Sequence, residues 1–148
     1  MNNNFLKNIT FALIAVLVLF LSACASSKAA IPDSLTPAEF VQRAQEATDR
    51  NRYKIALNYY EALLIRFPKN TEMVCTAEYG IAHTKYKQKK YTEARERLEA
   101  LLARYDTPDH ELLPKHFQRL AEIVLDNIDR KEQRMRFSRK KPEAQSNN

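Results

Sequence analysis

The sequence predicts an all-α protein: a short helical solenoid of two helix-turn-helix units closed by a fifth, capping helix. Three observations carry this. From Thr36 onward, apolar residues recur at three- and four-residue spacing, and no segment sustains the two-residue alternation of a half-buried strand. Sliding the chain by 38 residues lays Tyr53–Phe67 on Tyr91–Tyr105 with seven of 15 positions identical: Tyr53/Tyr91, Ala56/Ala94, Glu61/Glu99, Ala62/Ala100, Leu63/Leu101, Leu64/Leu102 and Arg66/Arg104. An internal repeat of that period, built from two helices, is the mark of a stacked solenoid. Finally, the 148 residues include a single glycine, Gly80. That removes glycine-rich phosphate loops, dinucleotide-binding turns and nucleophile elbows, and with them most nucleotide-dependent enzymes.

Taken in order, residues 1–23 read as an address rather than as structure. Lys7 precedes an unbroken apolar run of 11 residues at 11–21, the n- and h-regions of a signal peptide and short of the roughly 20 residues that a spanning helix needs. The following Leu21-Ser22-Ala23-Cys24 resembles a bacterial lipobox. The resemblance implies cleavage before Cys24 and acylation of its thiol, with Ala25 pointing to the periplasmic face of the outer membrane. Residues 24–35 then form a lipidated cysteine and a flexible, Pro32-containing tether. The helical domain is expected over 36–135. Thr36-Pro37-Ala38-Glu39 is a capping box with proline at the first helical position and opens helix 1, about 37–50. Asn51 is the candidate cap of helix 2, about 52–67, which stops ahead of Pro68. Helix 3 follows at about 71–88 and helix 4 at about 91–105. Thr107-Pro108 opens helix 5, which begins in earnest or kinks at Pro114 and runs to about 135. Residues 136–148 are expected to be a basic, disordered tail.

The small residues have a steric purpose. Ala44 is expected to face Ala56, and Ala82 to face Ala94, where antiparallel helices approach closely. Ala44, Tyr53, Ala56, Tyr60, Pro68 and Asn70, with Ala82, Tyr91, Ala94 and Leu98 in the second unit, resemble the tetratricopeptide repeat pattern of small, small and aromatic positions. The 38-residue spacing is about one turn longer than that pattern. With the lipobox, the stretch from Ala38 to about Leu125 is similar to the N-terminal repeats of BamD-type lipoproteins of the outer-membrane β-barrel assembly machinery. The resemblance implies a lipid-anchored scaffold that binds other envelope proteins or peptides. Members of that family have about five repeats, so nothing that maps to their later repeats carries over.

Charge narrows the partners. The net charge is +6, but residues 130–148 hold seven bases against two acids and Lys7 supplies one more, which leaves the body of the protein balanced. A nucleic-acid partner would impose a basic face on the fold itself, so none is expected. The basic tail suggests an alternative role, a structural lipoprotein joining the membrane to cell-wall polymer; an accessory subunit of an envelope enzyme is the remaining one. No catalytic residues, cofactor or metal ligands are expected. His110 and His116 lie six apart, on different helix faces, and His83 has no ligand at metal spacing. Cys75 is expected to be a half-buried apolar side chain.

The aromatic residues suggest a binding surface. Tyr79, His83, Tyr86 and Lys87 share one face of helix 3, which in the tetratricopeptide pattern lines a concave groove. Val41, Gln45 and Thr48 of helix 1 and Gln118 and Glu122 of helix 5 would flank it. The expected groove is therefore Gln45, Tyr79, His83, Tyr86, Lys87 and Gln118, with Phe117, Leu120, Ile123, Val124 and Ile128 capping helix 4. Membrane attachment falls to acyl chains on Cys24.

Overall fold

The computed structural model describes residues 31–145, with side-chain environments as far as Arg139. The signal peptide of residues 1–23, Cys24 and its acylation, the tether up to residue 30 and the last three residues of the tail lie outside that range. The described chain forms five α-helices: α1 (Pro37–Asp49), α2 (Tyr53–Arg66), α3 (Thr71–Lys87), α4 (Tyr91–Ala103) and α5 (Lys115–Gln145). Two 3-10 turns, Arg104–Asp106 and Pro108–Leu112, connect α4 to α5. Each helix packs on its neighbour in sequence, and α3 also meets α1 and α5. The fold is the short all-helical solenoid that the repeat implies.

The first helix starts where its capping box puts it. Thr36 accepts from the Glu39 backbone N–H at 3.4 Å and its own N–H donates to Glu39 Oε2 at 2.8 Å. Asn51 behaves otherwise than its type suggests. It does not cap α2: Arg52 occupies that position without a side-chain bond, and Asn51 stands at φ 57° in the left-handed region. Lys89, 38 residues later, does the same at φ 63°. The N–H of Arg52 donates to Ala47 O at 2.8 Å and that of Lys90 to Lys85 O at 3.0 Å, the long bond of a Schellman ending. The turn inside each repeat is therefore one structure made twice, a backbone identity that the side chains at 51 and 89 conceal. Asn tolerates the left-handed region and Lys does not, for want of a short side chain that bonds locally.

Burial confirms the small residues. Ala44, Ala56, Ala82 and Ala94 are all fully buried. Two apolar clusters share α3 between them. Phe40, Ala44, Tyr60 and Leu63 pack against its Ala77 and Ile81, and Ala94, Leu98, Phe117, Val124 and Ile128 against its Cys75 and Ala82. Gly80 lies between, with the Tyr60 ring over its α-carbon. A Cβ there would overlap Cζ and both Cε atoms of Tyr60. Glycine weakens a helix interior by about 1 kcal/mol relative to alanine, so the only glycine of the chain is explained by this contact and not by a turn.

Two expected boundaries move, and two side chains are buried otherwise than expected. Residues 31–35 are part of the domain rather than of the tether: Leu35 is buried, and Arg66 donates to Pro32 O (2.8 Å), Ile31 O (3.2 Å) and Asp33 Oδ1 (3.0 Å) while its guanidinium lies 5.1 Å from the Phe40 ring centroid. The last helix continues past 135 to Gln145 where a disordered tail was expected; Arg, Lys, Gln, Glu and Met are good helix formers, and the one helix breaker of the stretch, Pro142, comes only in its last turn. Ile123, expected to cap α4, is 48% exposed. Ala121 takes that place, because the seam runs Phe117, Ala121, Val124, Ile128 at four- and three-residue steps. Cys75 is fully rather than half buried, and burial, its main influence, pushes its thiol pKa up, so it stays a protonated, apolar filler.

This packing can be tested at two backbone positions. Gly80→Ala should melt several degrees below wild type despite alanine's better helix propensity, since overpacking a tight crossing costs about 1–3 kcal/mol. Adding Tyr60→Leu should cost less than the two single changes summed, because the ring is gone; an additive double variant would show that Tyr60 is not the obstacle. Lys89→Gly should gain up to about 1 kcal/mol in denaturant unfolding at unchanged slope, by relieving the left-handed strain.

Candidate functional site: a cleft between the odd-numbered helices

The parallel helices α1, α3 and α5 share one side of the solenoid, and a cleft of about 480 Å³ opens there. Gln45, Thr48 and Asp49 of α1 form one wall. The floor is Thr76, Tyr79, Gly80 and His83 of α3 with Tyr60 reaching through from α2, and His116 and Phe117 of α5 close the other side. Each position follows from the repeat: residues 76, 80 and 83 recur at helical spacing on one face of α3, and Gly80 leaves the depth that the Tyr60 ring occupies. The register of α1 against α3 is marked by two buried threonines, Thr48 and Thr84, whose hydroxyl oxygens lie 3.4 Å apart. Each also donates to the carbonyl four residues back, Ala44 O at 2.9 Å and Gly80 O at 2.7 Å.

An aromatic row runs along the floor. Tyr79 stacks on His83 with ring centroids 5.8 Å apart and planes at 14°, and also leans on Phe117 at 5.8 Å. His83 is 6.1 Å from Tyr86, which in turn lies 5.9 Å from Tyr91. Burial pushes Tyr60 up to about 12, with Asp49 adding in the same direction, and burial raises Tyr79 as well. His83 is lowered, first by burial and then by the Lys87 cation, with Asp49 opposing. The shifts at Tyr60 and Tyr79 and that at His83 all favour the neutral form, and among the described residues that line the cleft Asp49 is the one carboxylate.

Of the expected groove residues, the structure brings Gln45, Tyr79 and His83 together. Tyr86, Lys87 and Gln118 do not line the cleft. Because Thr48 is level with Thr84 and α1 ends at Asp49, Tyr86 and Lys87 stand beyond the last turn of α1 and have no opposite wall. Tyr86 instead packs half-buried against the second cluster, and Lys87 is exposed. Gln118 is exposed one residue past the side chains of α5 that do face the cleft, His116 and Phe117. Asp49, Tyr60, Thr76 and His116 were not anticipated. Asp49 and Thr76 continue the faces of Gln45 and His83 at helical steps, so their spacing was a usable signal, whereas Tyr60 enters only because α2 crosses at a glycine.

A larger open cleft, about 960 Å³, lies at the pole where the α2–α3 turn meets Leu112–Pro114. One of its cations, Arg66, is already bound to residues 31–33, while Lys69 and Glu72 stand exposed at its edge. Among the described residues no group of three His, Cys, Asp or Glu side chains could hold a metal ion, and no helix is long and apolar enough to cross a membrane.

The chain is similar to an uncharacterized protein of Treponema pallidum (strain Nichols), at 37% identity over 113 residues that make up 75% of this chain and 45% of the relative. It thus spans less than half the length of that relative. No family model and no solved structure matches it.

The lowered pKa of His83 has a pH signature. The unfolded chain takes up a proton near the ordinary value of 6.5 while the folded one resists, so stability should be full above that pH and decline as pH falls below it, levelling off once the folded imidazole also protonates. His83→Gln should flatten this slope in urea melts between neutral pH and about 5. Glu39, bonded to the Thr36 backbone and hydroxyl, and Glu93, bonded to Lys85 and Lys90, have carboxyls held below 4.5, so their contributions are lost at lower pH and leave this window to His83.

Proposed function

We propose that this protein is a membrane-anchored scaffold of the bacterial cell envelope, held by acyl chains on Cys24, that acts by binding a segment of another envelope protein in the cleft between α1, α3 and α5. The observation that carries the reading is that cleft: a concavity with an uncharged aromatic floor and polar rims, at the face where a helical solenoid gathers its odd-numbered helices. Tyr79 and His83, half-buried and backed by Phe117, offer flat apolar contact at low entropic cost, and aromatic anchors of this kind dominate the affinity of protein interfaces. Gln45 and Asp49 stand on the α1 wall and Thr76 at the floor, where they can bond the backbone of an extended peptide. The likeness of the repeat to BamD-type lipoproteins supports a place in outer-membrane protein assembly, and the lipobox supports the anchor and the periplasmic face of the outer membrane.

A photoreactive residue at Gln45 or His116, both exposed on the cleft walls, should crosslink a discrete envelope protein in intact cells. Asp49→Lys with His83→Ala should abolish that product at unchanged helical circular dichroism, since truncating central contacts typically costs about 2 kcal/mol or more. A product that survives the double variant would remove the cleft from the reading. Cys24→Ala should leave an unprocessed precursor without palmitate label, and a label that persists would remove the anchor.

A further inference from the structure

The second half of α5 has no role in the solenoid. The helix is 31 residues long, about 46 Å at helical rise, and packs chiefly on α4 and α3 through Phe117, Ala121, Val124 and Ile128. Arg95 of α4 fixes this half at one point, bonding Asp129 and, at 3.2 Å, Glu132. Beyond Glu132 every described side chain is exposed. At about 100° per residue, Ile123, Arg134 and Phe137 fall on the side away from the buried seam, together with Arg130, whose charge is met by Asp126 at 2.8 Å on the same side. Ile123 is 48% and Phe137 74% exposed, at positions about 21 Å apart along the axis, and the side chains of Gln133, Arg136 and Arg139 form an apolar hollow beside Phe137. From Ile123 to Arg139 five cations stand against three acids, Asp126, Asp129 and Glu132, and past Glu132 the charges are all positive: Arg134, Arg136 and Arg139.

We infer that the outward stripe of α5, from Ile123 to Phe137, flanked by Arg136, is a docking surface for an anionic phospholipid bilayer. Charge complementarity selects an acidic surface and argues against a second copy of the chain, which would bring a like-charged helix against this one. The two apolar side chains select lipid among acidic surfaces. A soluble anionic polymer has no use for an exposed Ile and Phe set in line with arginines, whereas a bilayer takes the apolar tips between its headgroups while the arginine stems snorkel to the phosphates. Each cation near such a surface contributes on the order of 1 kcal/mol, falling off within a Debye length. This attachment is independent of the cleft and of Cys24.

The chain has no tryptophan, so Phe137→Trp supplies a single fluorescent reporter. The full chain carrying it, reconstituted by its own N-terminal segment into vesicles, should show blue-shifted emission, quenched by brominated lipid, when phosphatidylglycerol is present. It should show neither in pure phosphatidylcholine, and raised salt should reverse both. Adding Arg134→Gln and Arg136→Gln should lower the bound-to-free ratio about 30-fold, two cations at about 1 kcal/mol each. A reporter placed instead by Ile65→Trp, at a position 79% exposed on α2, should report water in both lipids. The inference is overturned by unshifted emission from the Phe137→Trp chain, by an equal shift in neutral lipid, by a shift that follows protein concentration rather than lipid charge, or by one that appears only with purified cell-wall polymer. Crosslinking at Gln45 and His116 is read separately, so either result stands without the other.

Discussion

The closeness of α2 and α3 at Gly80 is the constraint on which the rest depends. α3 serves both apolar clusters, one through Ala77 and Ile81 and the other through Cys75 and Ala82, so any shift of α3 away from α2 would open both. The Tyr60 ring lies where a Cβ on residue 80 would be, which sets the depth of the crossing. The same ring ends as part of the cleft floor. Packing density and binding surface are thus consequences of one contact, and loosening the helix pair would fill or flatten the concavity that the proposed function uses.

Around this contact, electrostatics orients rather than stabilises. Lys85 and Lys90 both reach Glu93, at 2.7 and 3.0 Å, and Glu78 pairs with Arg104. These partly exposed bridges tie α3 to the two ends of α4, and such pairs are worth at most about 1 kcal/mol each. Their use is in register, as they fix the height of α4 against α3 at both ends of the seam where Ala82 meets the Ala94 and Leu98 side of α4. Arg66 does the same at the amino-terminal end, where residues 31–35 would otherwise leave Leu35 and Phe40 open. Tyr105, whose hydroxyl donates to Pro114 O at 2.8 Å, closes the carboxyl-terminal linker onto the second cluster.

The two ends of α5 illustrate how one helix can divide its work. Its first half is an ordinary member of the solenoid with an apolar seam, and its second half keeps the helical form with the seam gone. Helix formation there needs no tertiary partner because the residues have high intrinsic propensity and the preceding turns already supply a nucleus. What remains is a cationic rod with Met135 and Phe137 exposed on it, and exposed apolar surface rimmed by charge marks a place of interaction.

Most of the architecture was legible in the sequence. Helical periodicity, the capping box at Thr36, the 38-residue repeat and the paired alanines are local or self-referential signals, and they determine that the chain is helical, where α1 begins and that two units stack. The left-handed Asn51 and Lys89, the docking of residues 31–35 and the extent of α5 were not legible. The first two depend on what the chain meets as it turns back on itself: the Schellman bond closes on α1, and Arg66 finds carbonyls more than thirty residues earlier; the third is local, high helix propensity in a stretch whose basic, polar composition reads as a tail. The site divides in the same way. Spacing along α3 placed Tyr79 and His83 on one face, as a single helix must, but which residues stand opposite them was decided by the register of Thr48 against Thr84 and by the length of α1. Tyr86, Lys87 and Gln118 fell outside because facing walls belong to pairs of helices, and relative height along two helices is a tertiary quantity that one-dimensional spacing does not encode.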